Sequence, residues 1–393
     1  MKMIAEKTLV AITGAMASAH AMRQINPDVV AAYPITPQTP IMMNFAQFVA
    51  DGLADTEVVT VESEHSAMSA CVGAAAAGAR VMTATAANGL ALMHEIVYIA
   101  ASTRLPMVMS IVNRALSGPI NIHCDHSDTM AERDSGWIQI FCENAQEVYE
   151  STILAMKWAE NEKVLLPVMV NQDGFIISHS VENVEILPDD VVKEFVGEHV
   201  PHEPLLDVEH PITYGPLDLY DYYFEHKRQQ MEAMKEAEKE FPKIAAKLSA
   251  ITGNEYDFIE SYKLDDAEYV IVTLGSSAGT VKYVVDEMRE TGKKVGLLKI
   301  RVFRPFPGKR IAEALNGKKA VAVLDRSASF GAEAPIYAEV KSALYTIKER
   351  PILQSYVYGL GGRDFTPDHA KTAFDRLMKG EFFEGEGYLG LRD

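Results

Sequence analysis

Four short stretches hold side chains suited to act on a small anionic substrate. AYPITPQTPI (32–41) sets Thr36 and Thr39 among three prolines at the end of an apolar run. VESEHSA (61–67) offers Glu62 and Glu64. TATAANGLALMHE (83–95) turns the chain at Asn88-Gly89, and IVNRALSGPINIHCDHSD (111–128) opens on Arg114. A hydroxyl, a carboxylate, a tight turn and a guanidinium could together hold a carboxylate substrate. Each also has a plainer reading. Thr36 or Thr39 can cap a helix, and either glutamate can cap the free N–H groups of the helix that follows it. Asn88-Gly89 can hold a small anion or a cofactor ring, or be a simple strand-to-helix loop. Arg114 can make a bidentate contact with a substrate carboxylate or a structural ion pair.

Local chemistry separates the two threonines. Were Thr36 the cap, Pro40 would fall at the fourth helical position, where its missing N–H forfeits an intrahelical bond. With Thr39 as the cap, Pro40 takes the favoured first position. That frees Thr36, held before Pro37, to point its hydroxyl elsewhere.

His123, Asp125, His126 and Asp128 surround Cys124, but their spacing is not that of a zinc site, so a polar loop network is expected. Asp173-Gly174 forms half of a magnesium-diphosphate signature, and the Asn-Asn half is missing downstream, where VENVEILPDD stands. LGSSAGT (274–280) lacks both a Lys-Ser/Thr ending and a G-x-G-x-x-G pattern, and is weak as a nucleotide motif.

These stretches must be positioned by strands. DVVAAYPI, TEVVTVES, RVMTATA, LPMVMSIVN and VLLPVMVNQDGF read as strands with helices between them, and near-continuous apolar strands of this kind form a parallel sheet covered on both faces. All four stretches then lie at carboxyl ends, where open α/β sheets bind ligands. From Val181 the pattern becomes Pro-punctuated and acidic, as a surface connector would be. A charged helical run follows, expected to be interrupted near Pro242. From Asp266 a second α/β unit begins. The expected division is 1–190, a connector with a charged helix at 191–262, and 263–393.

The 393 residues are 48% hydrophobic and 23% charged, with a net charge of −18. That charge disfavours nucleic-acid and anionic-membrane surfaces. The apolar run at the start is too short for a signal peptide and no segment reaches a membrane span, so a cytoplasmic location is expected. Cys71, Cys124 and Cys142 lie far apart, which fits buried structural thiols and excludes a cluster bound by this chain alone.

Taken together, AYPITPQTP, VESEHSA, TATAANGLALMHE, NRALSGPINIHCDHSD and ERDSGWIQIFCENAQEV, with the later LGSSAGTVK, VFRPFP and YGLGGRD, carry a further signal. In this order they resemble the alpha subunit of multi-subunit pyruvate:ferredoxin oxidoreductases, within the 2-oxoacid:ferredoxin oxidoreductase family. The resemblance implies an α/β protein. Its pyrimidine-type thiamine-diphosphate-binding fold, a doubly wound parallel sheet, is followed by a transketolase C-terminal-like domain. It implies reversible oxidative decarboxylation of pyruvate with coenzyme A, giving acetyl-CoA, CO2 and reduced ferredoxin. Thiamine diphosphate would be shared with a partner subunit, and Mg2+ and [4Fe-4S] clusters would sit on partners of beta, gamma and delta type. By the same resemblance Glu64 meets N1′ of the aminopyrimidine, Arg114 faces the substrate carboxylate, Thr36 donates to the 2-oxo acid and Pro34 lies beside the cofactor rings. Two alternatives stay open: a branched-chain or aryl 2-oxo acid as substrate, and a non-catalytic assembly or ligand-binding subunit.

Overall fold

The computed structural model describes residues 5–392. The chain opens with β1 (Thr8–Thr13), α1 (Gly14–Ile25), β2 (Val29–Ala32), α2 (Thr39–Ala50), β3 (Glu57–Thr60), α3 (Glu64–Ala77), β4 (Val81–Thr85) and α4 (Ala87–Ser102). It continues through β5 (Val108–Asn113), α5 (Ser127–Ala131), β6 (Ile138–Phe141), α6 (Ala145–Ala159), β7 (Val168–Asp173), β8 (Val181–Ile186), α7 (Asp189–Val196) and α8 (Tyr223–Thr252). The second unit comprises β9 (Ile259–Tyr262), β10 (Tyr269–Thr273), α9 (Ser277–Glu290), β11 (Val295–Ile300), β12 (Val302–Arg304), α10 (Gly308–Leu315), β13 (Ala320–Asp325), α11 (Pro335–Leu344), β14 (Ile352–Tyr358), α12 (Pro367–Lys379) and β15 (Glu386–Leu389).

The first sheet runs β12-β6-β7-β5-β4-β2-β3 and is parallel except for β12. The second runs β15-β14-β13-β10-β11-β9 and is parallel except for β9. Strands β4, β5, β6 and β7 are buried along their whole length, as a sheet covered on both faces requires. Helix α1 packs on α6 and α2 through Ala15, Ala17, Ala19 and Ala21, whose small side chains permit close approach. Its start is capped by the Thr13 hydroxyl, which accepts from Met16 N at 3.2 Å.

Two stretches differ from the expectation. Between Val181 and Val196 the chain does more than connect: β8 pairs antiparallel with β1, and α7 packs on α1 and α6. The charged run is one unbroken helix, with Pro242 inside α8. One lost N–H is offset there by burial, because Ala237, Phe241, Ile244, Ala245 and Leu248 join the core of the first unit.

The two units are joined by more than the chain. Strand β12 crosses back to pair with β6 and buries Val302 in the first core. Lys299, fully buried, donates to Glu143 (2.6 Å) and Glu147 (2.5 Å) of the first unit and to Glu260 (3.2 Å) of the second. Arg301 bridges Glu147 and Glu260 beside it. Burial raises the Glu147 carboxyl, but the charges of Lys299 and Arg301 outweigh that and hold it at about 2.

Candidate active site

The first sheet reverses direction between β2 and β4: the chain adds β3 on one side of β2 and β4 onward on the other. Ligands of open α/β sheets bind outside the carboxyl ends at such a point. The loop after β2 carries Pro34 and Thr36, the turn after β3 delivers Glu64, the turn after β4 contains Gly89, and β5 ends at Arg114. The structure therefore sets the expected site residues at the carboxyl ends of β2, β3 and β5, strands of one sheet.

Glu64 does not cap its helix. Ser63 does, its hydroxyl accepting from Ser66 N at 3.2 Å, and the exposed Glu62 accepts from the Ser66 hydroxyl at 2.5 Å. Glu64, the first residue of α3, is only 7% exposed, and its carboxylate makes no hydrogen bond to any described residue. It lies over the first turn of α4, so close that a Cβ on Gly89 would stand 2.8 Å from Glu64 Oε1 and 2.5 Å from Thr85 Oγ1. Thr85 is fully buried and its hydroxyl has no partner either. Two polar groups without partners, packed against a helix start where only glycine fits, mark a place for a ligand rather than a finished core.

Arg114 is 8% exposed and forms no ion pair among the described residues, so the structural ion-pair reading falls. Its Nε donates to the Asn121 carbonyl (2.8 Å) and its Nη1 to the Thr36 carbonyl (2.9 Å). The second contact fixes the arginine against the proline loop. That loop is exposed at Pro34 and Thr36. Thr39 is not the cap of α2. Gln38 N and Thr39 N both donate to the Ile35 carbonyl, so the chain is already turning before Thr39, which falls inside the helix with no side-chain cap before it. Thr36 lies outside the helix, as expected.

The His/Asp loop is a polar network. The buried Asp128 carboxylate accepts from Ala87 N (3.0 Å), Arg114 N (3.0 Å), Asn113 Nδ2 (2.9 Å) and Thr129 N (2.8 Å), tying the ends of β4 and β5 together. Burial pushes it up to about 6 despite these donors. It also anchors Ala87, whose φ of +43° is a left-handed conformation unusual for alanine. Sequence reasoning grouped Asp128 with the histidines and missed this scaffolding role, since all its partners but Thr129 lie 14 to 41 residues away.

Asp173 is not a diphosphate ligand in waiting. Both its oxygens are engaged inside the protein, with His126 Nε2 (2.7 Å), Arg326 Nη1 (2.8 Å), and the amide (3.1 Å) and hydroxyl of Ser276. Burial raises its carboxyl, yet the charges of His126 and Arg326 prevail and hold it well below the usual carboxylate range. The LGSSAGT turn does bind an anion at a helix N-terminus, and that anion is Asp173 of the same chain. Cys124 lies beside this cluster at 3.7 Å from Arg326 Nη1, and all three cysteines are buried and free.

The two α/β units find matches among known proteins, and the first matches a thiamine-diphosphate-binding family. A 2-oxoglutarate:ferredoxin oxidoreductase from Magnetococcus marinus, solved with 2-oxoglutarate, coenzyme A and succinyl-CoA bound, superposes with a TM-score of 0.69 at 20% identity. The match covers 95% of this chain and 65% of that one. A split-gene transketolase, described as an inactive beta4 tetramer, matches with a TM-score of 0.56 at 11% identity over 94% of this chain and 98% of that one. Residues 20–246 match the family described as pyruvate flavodoxin/ferredoxin oxidoreductase, thiamine diphosphate-binding. Residues 267–370 match pyruvate:ferredoxin oxidoreductase core domain II. The pyruvate synthase subunit PorA of Thermotoga maritima is 67% identical over 98% of both chains, and that of Methanocaldococcus jannaschii 49% identical over 97% of this chain and 98% of its own. The ketoisovalerate oxidoreductase subunit VorA of Pyrococcus abyssi is 44% identical over 94% of this chain and 93% of its own. The chain belongs to the pyruvate flavodoxin/ferredoxin oxidoreductase family.

Proposed function

We propose that this chain is the alpha subunit of a pyruvate:ferredoxin oxidoreductase, a catalytic subunit of a hetero-oligomeric enzyme that converts pyruvate and coenzyme A to acetyl-CoA and CO2. The observation that carries the catalytic reading is the pair of buried, uncompensated charges in one crevice, Glu64 and Arg114. Pyruvate is favoured over 2-oxoisovalerate by the 67% identity to a pyruvate synthase subunit against 44% to a ketoisovalerate subunit.

The residues present fit the cofactor. Gly89 lets Glu64 and Thr85 lie close against the start of α4, and both offer polar groups without partners there. Bound there, thiamine diphosphate supplies the carbon nucleophile and the electron sink for decarboxylation. Glu64 would hold the proton shared with N1′ of the aminopyrimidine, and its burial would keep water from competing for that contact. Pro34 lines the rings. Arg114 grips the substrate carboxylate and Thr36 donates to the 2-oxo oxygen, each held by the contact between Arg114 Nη1 and the Thr36 carbonyl. Partner subunits of beta, gamma and delta type supply the diphosphate and Mg2+ site and the [4Fe-4S] clusters that pass electrons to ferredoxin. No helix of the described chain is long and apolar enough to cross a membrane, and we place the complex in the cytoplasm.

Glu64→Gln in the assembled complex is expected to lower kcat for pyruvate-dependent viologen reduction by about 10²-fold or more while thiamine diphosphate content is retained. A wild-type rate would remove the proposed role. Comparing kcat/KM for pyruvate, 2-oxoisovalerate and aryl pyruvates decides the substrate.

A further inference from the structure

The loop that carries Arg114 is held from outside its own domain. Between Ser117 and Ile120 it is exposed, and its shape depends on a few pins. Ala115 N donates to the His123 carbonyl (3.0 Å), closing the loop, and Ser117 is tied to Asn88 Oδ1 by its amide (3.2 Å) and hydroxyl (2.9 Å). Leu116 N donates to the Ser127 hydroxyl (3.0 Å) and His123 N to Asn121 Oδ1 (2.6 Å), and further pins come from the glycine turn that ends β14 in the second unit. Asn121 Nδ2 donates to the Gly361 carbonyl (3.0 Å), Gly361 N to Asp125 Oδ2 (3.2 Å), and Gly362 N to the Cys124 carbonyl (2.6 Å). Asn121 is also the residue whose carbonyl receives Arg114 Nε, so the second unit reaches the guanidinium through one residue.

This approach requires glycine. Gly359, Gly361 and Gly362 all take left-handed φ values of 66°, 59° and 80°. A Cβ at Gly361 would lie 2.5 Å from Asn121 Nδ2, and one at Gly362 only 2.3 Å from the His123 Cβ. Three left-handed glycines against a substrate loop some 240 residues earlier are more than a chain reversal needs.

We infer that the Gly359–Gly362 turn, through Asn121, is a positioning element for Arg114 and thereby sets affinity for the 2-oxo acid carboxylate. The inference rests on the reading of Arg114 as the carboxylate-binding group. The second unit thus contributes to substrate recognition without touching substrate. Asn121 acts three times: its amide nitrogen is anchored to the turn, its side-chain oxygen accepts from His123 N within the loop, and its carbonyl aims the guanidinium.

The test uses the assembled enzyme. Asn121→Ala removes a half-exposed amide and leaves the backbone carbonyl in place; Gly362→Ala displaces the loop from the other side. Both are expected to raise KM for pyruvate by about 10-fold, the worth of one charge-assisted contact, with saturated kcat within about 2-fold of wild type. KM for coenzyme A and for ferredoxin should not move. A purely structural role would instead lower thermal stability or shift every parameter together, and that outcome overturns the inference. Unchanged KM for pyruvate in Asn121→Ala also overturns it, provided Arg114→Lys raises KM in the same assay. If Arg114→Lys itself behaves as wild type, the carboxylate reading fails and this inference falls with it. Should Gly362→Ala fail to assemble, Gly361→Ala decides, since its Cβ would meet Asn121 Nδ2 at 2.5 Å from the side of the turn and leaves the Asn121 side chain in place.

Discussion

The two parallel sheets offer the same feature and treat it in opposite ways. Each reverses direction once, the first between β2 and β4 and the second between β10 and β13, and each reversal opens a crevice at the carboxyl ends. In the first, Glu64 and Arg114 are buried without a counter-charge. In the second, the crevice is filled: Ser276 follows β10, Arg326 follows β13, and both close on Asp173 from the first unit. Tyr358 lies beneath Arg326, 5.1 Å from ring centre to guanidinium, and hydrogen-bonds Ser277 at 2.7 Å. Architecture alone therefore does not predict a ligand site. What separates a site from a joint is whether its buried charges are satisfied within the chain.

The sharpest way to break that contrast is to truncate one arginine from each crevice. Arg326→Met leaves Asp173 as a buried carboxylate stripped of its arginine partner, and should cost about 3–5 kcal/mol in urea denaturation of the chain. Arg114→Met removes a cation with no anionic partner and leaves two carbonyls short of a donor, for about 1–2 kcal/mol. Its large effect should appear instead as a raised KM for pyruvate. Equal stability losses would contradict the distinction between joint and site.

The sequence made the second crevice hard to read for the same reason. Asp173-Gly174 and LGSSAGT each carried a plausible ligand signature in isolation, and nothing local shows that they satisfy one another across some hundred residues. The Arg326 contact is more distant still. By contrast the stretches holding Thr36, Glu62 with Glu64, and Arg114 each follow an apolar strand, so periodicity places them at carboxyl ends, and the family resemblance then singled out Thr36, Glu64 and Arg114. The apolar runs of β2, β4, β5 and β7 were legible on those grounds. Helix α1 was not, since GAMASAHAMRQI is rich in small residues that blur the contrast between faces. Nor was β6, whose edge partner β12 arrives from the second unit. Thr39 was misread as a cap because the turn before it completes its own hydrogen bonds through the Ile35 carbonyl. YGLGGRD, which holds the Gly359–Gly362 turn, entered as part of the family resemblance, and its contact with Asn121 is one that no local pattern encodes.

Acid sharpens the comparison next. Glu147 is held at about 2 by Lys299 and Arg301, although burial alone would raise it, and Asp173 is likewise held low. A depressed carboxyl contributes stability that is fully present above its unfolded value near 4.5 and is lost as pH falls through its folded value. The joint between the units should therefore weaken from about pH 4.5 down toward about 2, by on the order of 3 kcal/mol for Glu147 alone. Asp128, raised to about 6, and Asp325, raised to about 7, act with the opposite sign, since the folded state takes up their protons first. Stability from those two rises as pH falls from about 7 toward 4. Denaturation midpoints across this range should show a maximum on the acid side of neutrality, and Glu147→Gln should flatten the limb below pH 4.5 without moving the limb above it.

The finest probe changes one methyl group. Gly89→Ala adds a Cβ to the first turn of α4, 2.8 Å from Glu64 Oε1 and 2.5 Å from Thr85 Oγ1, contacts that force the carboxylate aside. The backbone at Gly89 is helical, so alanine meets no conformational penalty there and the cost is steric: about 1–3 kcal/mol of overpacking at most. A shift of roughly 1 Å in a group that must meet a ring nitrogen is expected to lower kcat by about 10²-fold. The same change at Gly279 in α9 has open room, its nearest neighbour being Glu143 Oε1 at 3.4 Å, and should leave kcat unchanged. If Gly89→Ala retained full activity, Glu64 would have freedom to move that its present packing denies, and the first crevice would lose its claim to hold a preorganised carboxylate. If both substitutions acted alike, the first and second units would differ in sequence but not in what their helix starts are built to do.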